Sequence, residues 1–366
     1  MTAPGWPLNV PVISDGVVTL RAHTPADIDR MHEMAHDPEM VRWTAIPMPH
    51  SRAASEKFAF EILPQGWDDG TVMGWAIEHE GRFAGNVDIR GKGELADVGY
   101  ALHPDSRGRS IATAATQLAV NHAFVEAGKE AIAWRSQVGN LASLRVAHSC
   151  GFRLHGVQPD ALLERGRIFD AWTGSIRFGD APVPRTPWRE STLDITGARL
   201  RPLAVTDVPR IVEACSDPST RHFLSDLPHP YGPTEALAYV HDSWWQAATG
   251  NRETWAVVDG DDLLIGSIGV MDLNDPMGGH GELGYWMHPD ARGRGVMTEV
   301  ARAVVAHAFD AEGLDRRRLT LVASEGNVAS LRIAESLGFT RYGTETGTAV
   351  LADGTRTDHH LHELLR

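Results

Sequence analysis

The chain has 366 residues, 42% hydrophobic and 22% charged, a balance typical of a folded globular protein. Its 34 Lys and Arg against 48 Asp and Glu give a net charge of −14, which argues against a nucleic-acid partner and favours a cationic one. No apolar run approaches the ~18 residues of a membrane-spanning helix. Cys150 and Cys215 are too few for a disulfide framework, which indicates a cytoplasmic protein. We also expect no membrane partner, because the chain has no such apolar run.

The first half of the chain alternates between strand and helix patterns. Alternating or apolar runs predict strands at 17–22, 72–78, 83–89, 97–103 and 131–135, followed by two closing strands. Thr24 and Asp27 form an N-cap pattern that begins a helix ending near residue 36. A longer helix follows the turn Arg107-Gly108-Arg109, because its apolar residues are spaced for one face, and a further helix covers 141–148.

The second half repeats this order because the chain contains an internal duplication. Residues 97–113 and 282–298 are identical at nine of 17 positions, and residues 140–152 and 327–339 at nine of 13. Strands are predicted near 255–258, 263–272, 282–288, 319–323 and 359–365, with a helix over 293–311. A period of about 185 residues is far too long for a solenoid and indicates two tandem domains.

The boundary between the halves is rich in proline. Three prolines between residues 182 and 187 resist both helix and sheet and favour an extended linker. We therefore expect an N-terminal domain at 1–179, a linker at 180–195 and a C-terminal domain at 196–366. Each should be an α/β (α+β) domain, with a mixed, mostly antiparallel sheet flanked by helices.

A glycine-containing turn between a strand and a helix recurs in both halves. In the second half it is Arg292-Gly293-Arg294-Gly295, and in the first it ends at Ser110. Such a turn directs several backbone N–H groups, together with the positive end of the helix dipole, at one place suited to a pyrophosphate. An ordinary loop with solvated arginines is the alternative, and recurrence of the turn in the same context makes that alternative weaker.

Both halves resemble the GNAT superfamily of CoA-dependent N-acyltransferases, in the branch that acetylates ribosomal-protein N-termini and its drug-modifying relatives. The resemblance covers roughly residues 15–178 and 196–366. The pyrophosphate motif of the superfamily, Gln/Arg-x-x-Gly-x-Gly/Ala, corresponds to Arg292, Gly295 and Met297 and to Arg107, Ser110 and Ala112. The branch also carries Asn-x-x-Ser, which corresponds to Asn327 with Ser330 and to Asn140 with Ser143.

The resemblance implies acetyl-CoA as the cofactor, with no metal. The implied cofactor-binding residues are Trp286, Met287, Arg292, Gly293, Arg294, Gly295, Met297 and Asn327 in the second half, and Arg107, Gly108, Arg109, Ser110, Ala112 and Asn140 in the first. Ser110 departs from the motif, since a Cβ there could crowd the phosphates or forbid the backbone angles of the turn. Met297 departs where glycine or alanine is usual. These differences favour the second half as the better site.

The resemblance also implies the catalytic residues. Glu282 stands where the superfamily often has a general base, and Ser330 is expected near the sulfur; Asp97 and Ser143 are the equivalents in the first half. Many relatives use a tyrosine as general acid, but Ala334 occupies that position in the second half, as an alanine also does in the first. A structural carboxylate is the alternative role for Glu282, and a helix N-cap is the alternative for the Asn-x-x-Ser pair.

Several other residues are candidates for a functional role. His32 and His36 form a His-x-x-x-His pattern typical of zinc ligands, but the second half lacks it and no third ligand is indicated. The histidines near residue 360 fit a terminal strand with a solvated face. Trp43 and Phe223 follow the first helix of each half and are candidates for lining an acceptor cleft.

The sequence thus predicts an acetyl-CoA-dependent N-acetyltransferase acting mainly through its C-terminal domain. The acceptor is expected to be a primary amine of a peptide or protein N-terminus, or of a small molecule such as an aminoglycoside or polyamine. The alternative is a CoA-binding regulatory or partner-binding module in which one or both domains are catalytically degenerate. We expect either a monomer with pseudo-two-fold domains or a homodimer.

Overall fold

The computed structural model describes residues 10–275 and 278–366. The first nine residues of the predicted N-terminal domain therefore lie outside the described part. The chain divides between Arg185 and Thr186 into two compact units, called here the N-terminal and C-terminal units. Over the described ranges, no helix is both long and apolar enough to cross a membrane.

The N-terminal unit contains six α-helices and eight strands among its described residues. Its helices are α1 (Ile28–Ala35), α2 (Pro38–Trp43), α3 (Arg52–Lys57), α4 (Leu63–Asp69), α5 (Ile111–Val125) and α6 (Leu141–Ser149). Its strands are β1 (Ile13–Ser14), β2 (Val18–Arg21), β3 (Val72–His79), β4 (Arg82–Arg90), β5 (Leu95–Leu102), β6 (Ala131–Gln137), β7 (Arg153–Glu164) and β8 (Arg167–Arg177). A π-helical turn over Phe58–Ile62 joins α3 to α4.

The C-terminal unit repeats this order. Its helices are α7 (Val208–Ser216), α8 (Pro218–Phe223), α9 (Pro233–Thr249), α10 (Val296–Phe309) and α11 (Val328–Ser336). Its strands are β9 (Leu193–Ile195), β10 (Ala198–Pro202), β11 (Glu253–Val258), β12 (Leu264–Met271), β13 (His280–Met287), β14 (Arg318–Ser324), β15 (Thr340–Val350) and β16 (Arg356–Leu365). β9 lies within the segment expected to be a linker, so this sheet begins earlier than its prolines suggest.

Each unit is built on one mixed sheet of eight strands. The orders are β1-β2-β3-β4-β5-β6-β8-β7 and β15-β16-β14-β13-β12-β11-β10-β9. Neighbouring strands are antiparallel except for one parallel pair in each sheet, β5 with β6 and β13 with β14. The predicted fold class, a mixed and mostly antiparallel sheet flanked by helices in two tandem copies, is confirmed.

The core of the C-terminal unit lies on both faces of its sheet. On one face α10 packs Val300, Val304 and Ala308, whose spacing of four residues keeps them on one side of the helix. On the other face Ile211 of α7 and Val240 of α9 pack against the strands. The helix predicted from residue 293 begins at Val296, because the residues before it form the turn described below.

Candidate active site

The parallel strand pair in each sheet separates after three residues. In the C-terminal unit β13 pairs with β14 only from His280 to Glu282, and Leu283–Met287 have no partner on that side among the described strands. In the N-terminal unit β5 pairs with β6 only from Leu95 to Asp97. Glu282 and Asp97 therefore occupy equivalent positions, at the point where each sheet opens.

The surroundings of Glu282 disfavour its charged form. The pKa of Glu282 is raised by burial and by the nearby carboxylate of Asp272. No described cation forms an ion pair with Glu282. A carboxylate held this way is a stronger base than a solvated one and can accept a proton from an ammonium group or from water.

Asp97 has the opposite surroundings. Its carboxylate accepts a hydrogen bond of 2.9 Å from the guanidinium of Arg135, and both side chains are more than two-fifths exposed. Arg135 also lines, with Asp97, Arg90 and His155, an open cleft of about 520 Å³ on this face of the sheet. Asp97 therefore has a cationic hydrogen-bond partner at the position where Glu282 has none among the described residues.

The turn before each long helix contains two residues with left-handed backbone angles. In the C-terminal unit Gly293 has φ of +73° and Gly295 of +75°; in the N-terminal unit Gly108 has +72° and Ser110 +58°. In the described structure, no acceptor bonds the N–H groups of residues 293–297 or of residues 108–112. Each turn thus presents five free N–H groups at the positive end of a helix, which suits an anion.

Ser110 takes the left-handed conformation that glycine has in the other unit. A serine in this region costs roughly 1–2 kcal/mol relative to a right-handed conformation, and the remaining structure of the turn is retained. A Cβ built on Gly295 would meet no described atom within 4 Å. The backbone angles therefore do not exclude serine, and any crowding would arise only from a bound ligand.

The arginines of the two turns have different partners. The Arg292 guanidinium donates to Asp217 at 2.8 Å and to Thr220, and the Arg107 guanidinium bonds Asp37, so both fasten the turn to the N-terminus of a short helix. Arg109 is paired with Glu80 at 2.9 Å. Its equivalent, Arg294, has no side-chain hydrogen bond or ion pair within the described residues and is available to an anion.

The Asn-x-x-Ser residues cap a helix in both units. Oδ1 of Asn327 accepts from the backbone N–H of Ser330 at 3.1 Å, and Oδ1 of Asn140 accepts from that of Ser143 at 3.1 Å. Each asparagine therefore caps its helix through Oδ1 while its amide Nδ2 makes no bond to a described residue. Ala334 is fully buried, so no side-chain hydroxyl lies at the position where relatives have tyrosine.

The sequence analysis missed a tyrosine that contacts each of these serines. The hydroxyl of Tyr285, on β13, lies 2.9 Å from Oγ of Ser330, on α11. The hydroxyl of Tyr100, on β5, lies 3.0 Å from Oγ of Ser143. The available signal was the dipeptide Gly-Tyr, which recurs in both halves within the longest repeated segment.

The remaining candidates lie either in the core or on the part of β13 that does not pair with β14. Met297 is buried among the apolar side chains beneath α10, whereas its equivalent Ala112 is half-buried. Met297 therefore fills the core rather than the turn. Trp286 and Met287 lie on the part of β13 that pairs with β12 but not with β14. Trp286 shares a face of the strand with Glu282, because side chains alternate along a strand.

The other candidates lie apart from these motifs or at their edge. The rings of His32, His36 and His50 lie 4.5–6.4 Å apart, yet no group of three metal-ligating side chains in the described ranges is arranged to hold a metal ion. The Trp43 indole donates to Glu39 on its own helix. Phe223 lies beside Gly326, in the loop that leads to α11.

Residues 18–153 and 198–340 match the family described as the acetyltransferase (GNAT) domain. YdaF of Bacillus subtilis (strain 168), named as a ribosomal N-acetyltransferase, is 29% identical over 106 residues, which are 29% of this chain and 56% of YdaF. YjcK of the same organism, named as an N-acetyltransferase, is 30% identical over 105 residues, with the same coverage of 29% and 56%. The chain thus spans about half the length of the curated relatives it matches.

Two solved acetyltransferase structures match about half of this chain. RimJ of Mycobacterium smegmatis, in complex with a CoA disulfide, is 23% identical and has a TM-score of 0.43, covering 50% of this chain and 93% of that protein. The ribosomal-protein-S5-alanine acetyltransferase from Vibrio fischeri is 16% identical and has a TM-score of 0.44, covering 48% and 96%.

Proposed function

The chain belongs to the GNAT acetyltransferase family and is an acyltransferase, and we propose that its C-terminal unit transfers an acetyl group from acetyl-CoA to a primary amine. The proposal rests on the contrast between Glu282 and Asp97, which occupy equivalent positions in the two units. Glu282 has no described ion pair and is disfavoured in its charged form, whereas the Asp97 carboxylate forms an ion pair with Arg135. The reaction is direct attack by the amine on the thioester within a ternary complex.

The turn before α10 is proposed to hold the CoA pyrophosphate. Five free N–H groups at residues 293–297 and the unpaired guanidinium of Arg294 supply donors and positive charge for an anion that carries two negative charges or more. Arg292 would act indirectly by fixing the turn, and Met297 by packing beneath it. Asn327 is proposed to donate its free amide to the pantetheine arm, which would run along the unpaired part of β13.

Each proton in the proposed reaction has a residue to move it. Glu282 accepts the proton of the ammonium group, directly or through water, so that a neutral amine attacks the carbonyl carbon. A backbone N–H near Trp286 or Met287 polarises the carbonyl oxygen. When the C–S bond breaks, the hydroxyl of Ser330 supplies a proton to the departing sulfur. The attacking nitrogen loses its second proton as the amide forms, and water passes that proton to Ser330. Glu282 returns the proton it accepted to solvent.

The N-terminal unit is proposed to contribute little to turnover. It retains the turn, Asn140 and Ser143, but Asp97 is paired with Arg135 and Arg109 is paired with Glu80. A non-catalytic CoA-binding role, with Gly108, Ser110 and Ala112 at its turn, is the second candidate function for this unit alone. We propose domain limits of 1–179 and 196–366, with β9 added before the second domain because it pairs with β10. A cytoplasmic location suits the two free, buried cysteines.

The acceptor is proposed to be the terminal amine of a peptide or protein. The name of YdaF points to a ribosomal protein as acceptor for that relative. The acidic net charge of this chain, −14, attracts cationic acceptors in general, so aminoglycosides and polyamines are the competing small-molecule class.

Thiol release from acetyl-CoA tests the function directly. The purified full chain is mixed with acetyl-CoA and, in separate reactions, with peptides of free N-terminus, the same peptides blocked at the N-terminus, an aminoglycoside and a polyamine. We expect release of CoA with the free peptides and none above hydrolysis with the blocked ones. Binding of CoA without release for any amine would instead identify a binding module.

A further inference from the structure

The two equivalent serines have different hydrogen-bond partners. In the N-terminal unit Ser143 Oγ accepts from the indole Nε1 of Trp134 at 3.0 Å, and an indole N–H can only donate. The Tyr100 hydroxyl lies 3.0 Å from both the carbonyl oxygen and Oγ of Ser143. When Tyr100 donates to the carbonyl oxygen, its own oxygen accepts from the Ser143 hydroxyl. The Ser143 proton is then held in a hydrogen bond within the protein.

The C-terminal unit lacks both of these constraints. Leu321 stands where the other unit has Trp134, and the Ser330 oxygen is the one hydrogen-bond partner of the Tyr285 hydroxyl in the described structure. Burial raises the pKa of Tyr285 to about 12, so its phenol is protonated at neutral pH. Because an unsatisfied buried donor is costly, the phenol donates to Ser330 Oγ and leaves the serine proton free.

We propose that Tyr285 is a positioning residue that orients the Ser330 hydroxyl so that its proton is available to the leaving thiolate. The inference rests on the proposed function and goes beyond it by assigning a role to a residue outside the family motifs. The bonds balance: the C–N bond forms as the C–S bond breaks, and sulfur takes the electron pair and the Ser330 proton. The second proton lost by the nitrogen restores the Ser330 hydroxyl through water, and Tyr285 keeps its own proton throughout.

The test is a double-mutant cycle of Tyr285→Phe and Ser330→Ala in the full chain, measured as thiol release. Ser330→Ala should lower kcat by roughly 10²-fold. Tyr285→Phe should lower kcat up to about 10-fold, the effect of one neutral hydrogen bond, with KM for acetyl-CoA within about 2-fold. The double variant should match Ser330→Ala, because the tyrosine has no effect without the serine hydroxyl.

Tyr231→Phe is the matched control, since Tyr231 is another buried tyrosine of the same unit, packed in the apolar core with Ile211 and Val240, and the variant should leave kcat unchanged. Additive losses in the double variant would assign Tyr285 a structural role and overturn the inference, as would wild-type kcat for Tyr285→Phe beside a defective Ser330→Ala. Those results leave the proposed function standing. Absence of thiol release from the wild-type chain with every amine would overturn the proposed function, and this inference with it.

Discussion

Glu282 and Asp97 differ by one methylene, yet their neighbours differ far more. The Asp97 carboxylate has a cation at 2.9 Å, whereas Glu282 has only the carboxylate of Asp272 as a charged neighbour that affects its pKa. Burial and Asp272 therefore disfavour the charged form of Glu282, whereas the Asp97 carboxylate is partly exposed and bonded to a guanidinium. An elevated pKa brings a carboxylate closer to the working pH of a general base.

The raised pKa of Glu282 has a consequence for stability. Because the folded-state pKa exceeds the unfolded one, the contribution of Glu282 to stability is full below the unfolded pKa and is lost as pH rises through the folded pKa. Because glutamine does not ionise, the Glu282→Gln variant does not lose this stability as pH rises. We therefore expect the variant to have a higher urea midpoint than wild type at about pH 7, with the gap closing near pH 4.

Asp97→Asn is the control for that measurement. Its ion pair with Arg135 is exposed, so its removal should change the free energy of unfolding by less than about 1 kcal/mol. A Glu282→Gln variant that is less stable than wild type at neutral pH would show that the carboxylate supports the sheet as a structural group.

The turn-helix elements are proposed to bind CoA through their backbone. Gly295→Asp places a negative charge where the phosphates are expected and should abolish CoA binding to the C-terminal unit, read by calorimetry as a loss of that site. Gly295→Ser is the matched control, because serine occupies the equivalent place in the other unit and a Cβ meets no atom within 4 Å. It should fold, at a cost of about 1 kcal/mol, and still bind. Equal CoA binding by both variants would move the site elsewhere.

Arg292 connects the turn to α8 through Asp217, which also caps that helix by accepting from the backbone N–H of Thr220 at 3.0 Å. Asp217→Asn keeps the cap and removes the ion pair; Asp217→Ala removes both. We expect CoA affinity to fall in both variants, and the alanine variant to lose about 1 kcal/mol more of stability. Unchanged affinity, measured by calorimetry beside urea unfolding, would separate Arg292 from the site.

Sequence patterns predicted these elements better than their junctions. The predicted bounds of most strands, and of the helices that follow the turns, agree with the structure within a few residues. The duplication helped, because the same hydrophobic pattern occurs in both halves of the chain. The helices between the first helix and the third strand of each unit were missed, as were the strands β1 and β9; these helices are α2, α3 and α4 in the first half and α8 and α9 in the second. The short elements carry too few residues to show a period, whereas α9, with 17 residues, is long enough to show one. The three-residue limit of the parallel pairing and the Tyr285–Ser330 bond depend on long-range packing and leave no mark on local periodicity.

At the scale of the whole molecule, the two units keep one fold, and three side-chain contacts distinguish their proposed sites. Arg135 bonds Asp97, Glu80 bonds Arg109 and Trp134 bonds Ser143, whereas the equivalent groups in the C-terminal unit lack these contacts among the described residues. The three differences concern the base, the anion site and the proton of the serine. They all point to the C-terminal unit as the one that performs the reaction.

The most direct test of this account compares Asp97→Asn with Glu282→Gln in the full chain. Acetyl transfer to the best acceptor is measured for both variants across pH, with folding checked by circular dichroism. We predict that Glu282→Gln lowers kcat by roughly 10²-fold or more near pH 7, with a smaller deficit at high pH where free amine is abundant, and that Asp97→Asn has little effect. A nearly inactive Asp97→Asn beside a nearly normal Glu282→Gln would contradict the account and assign the reaction to the N-terminal unit.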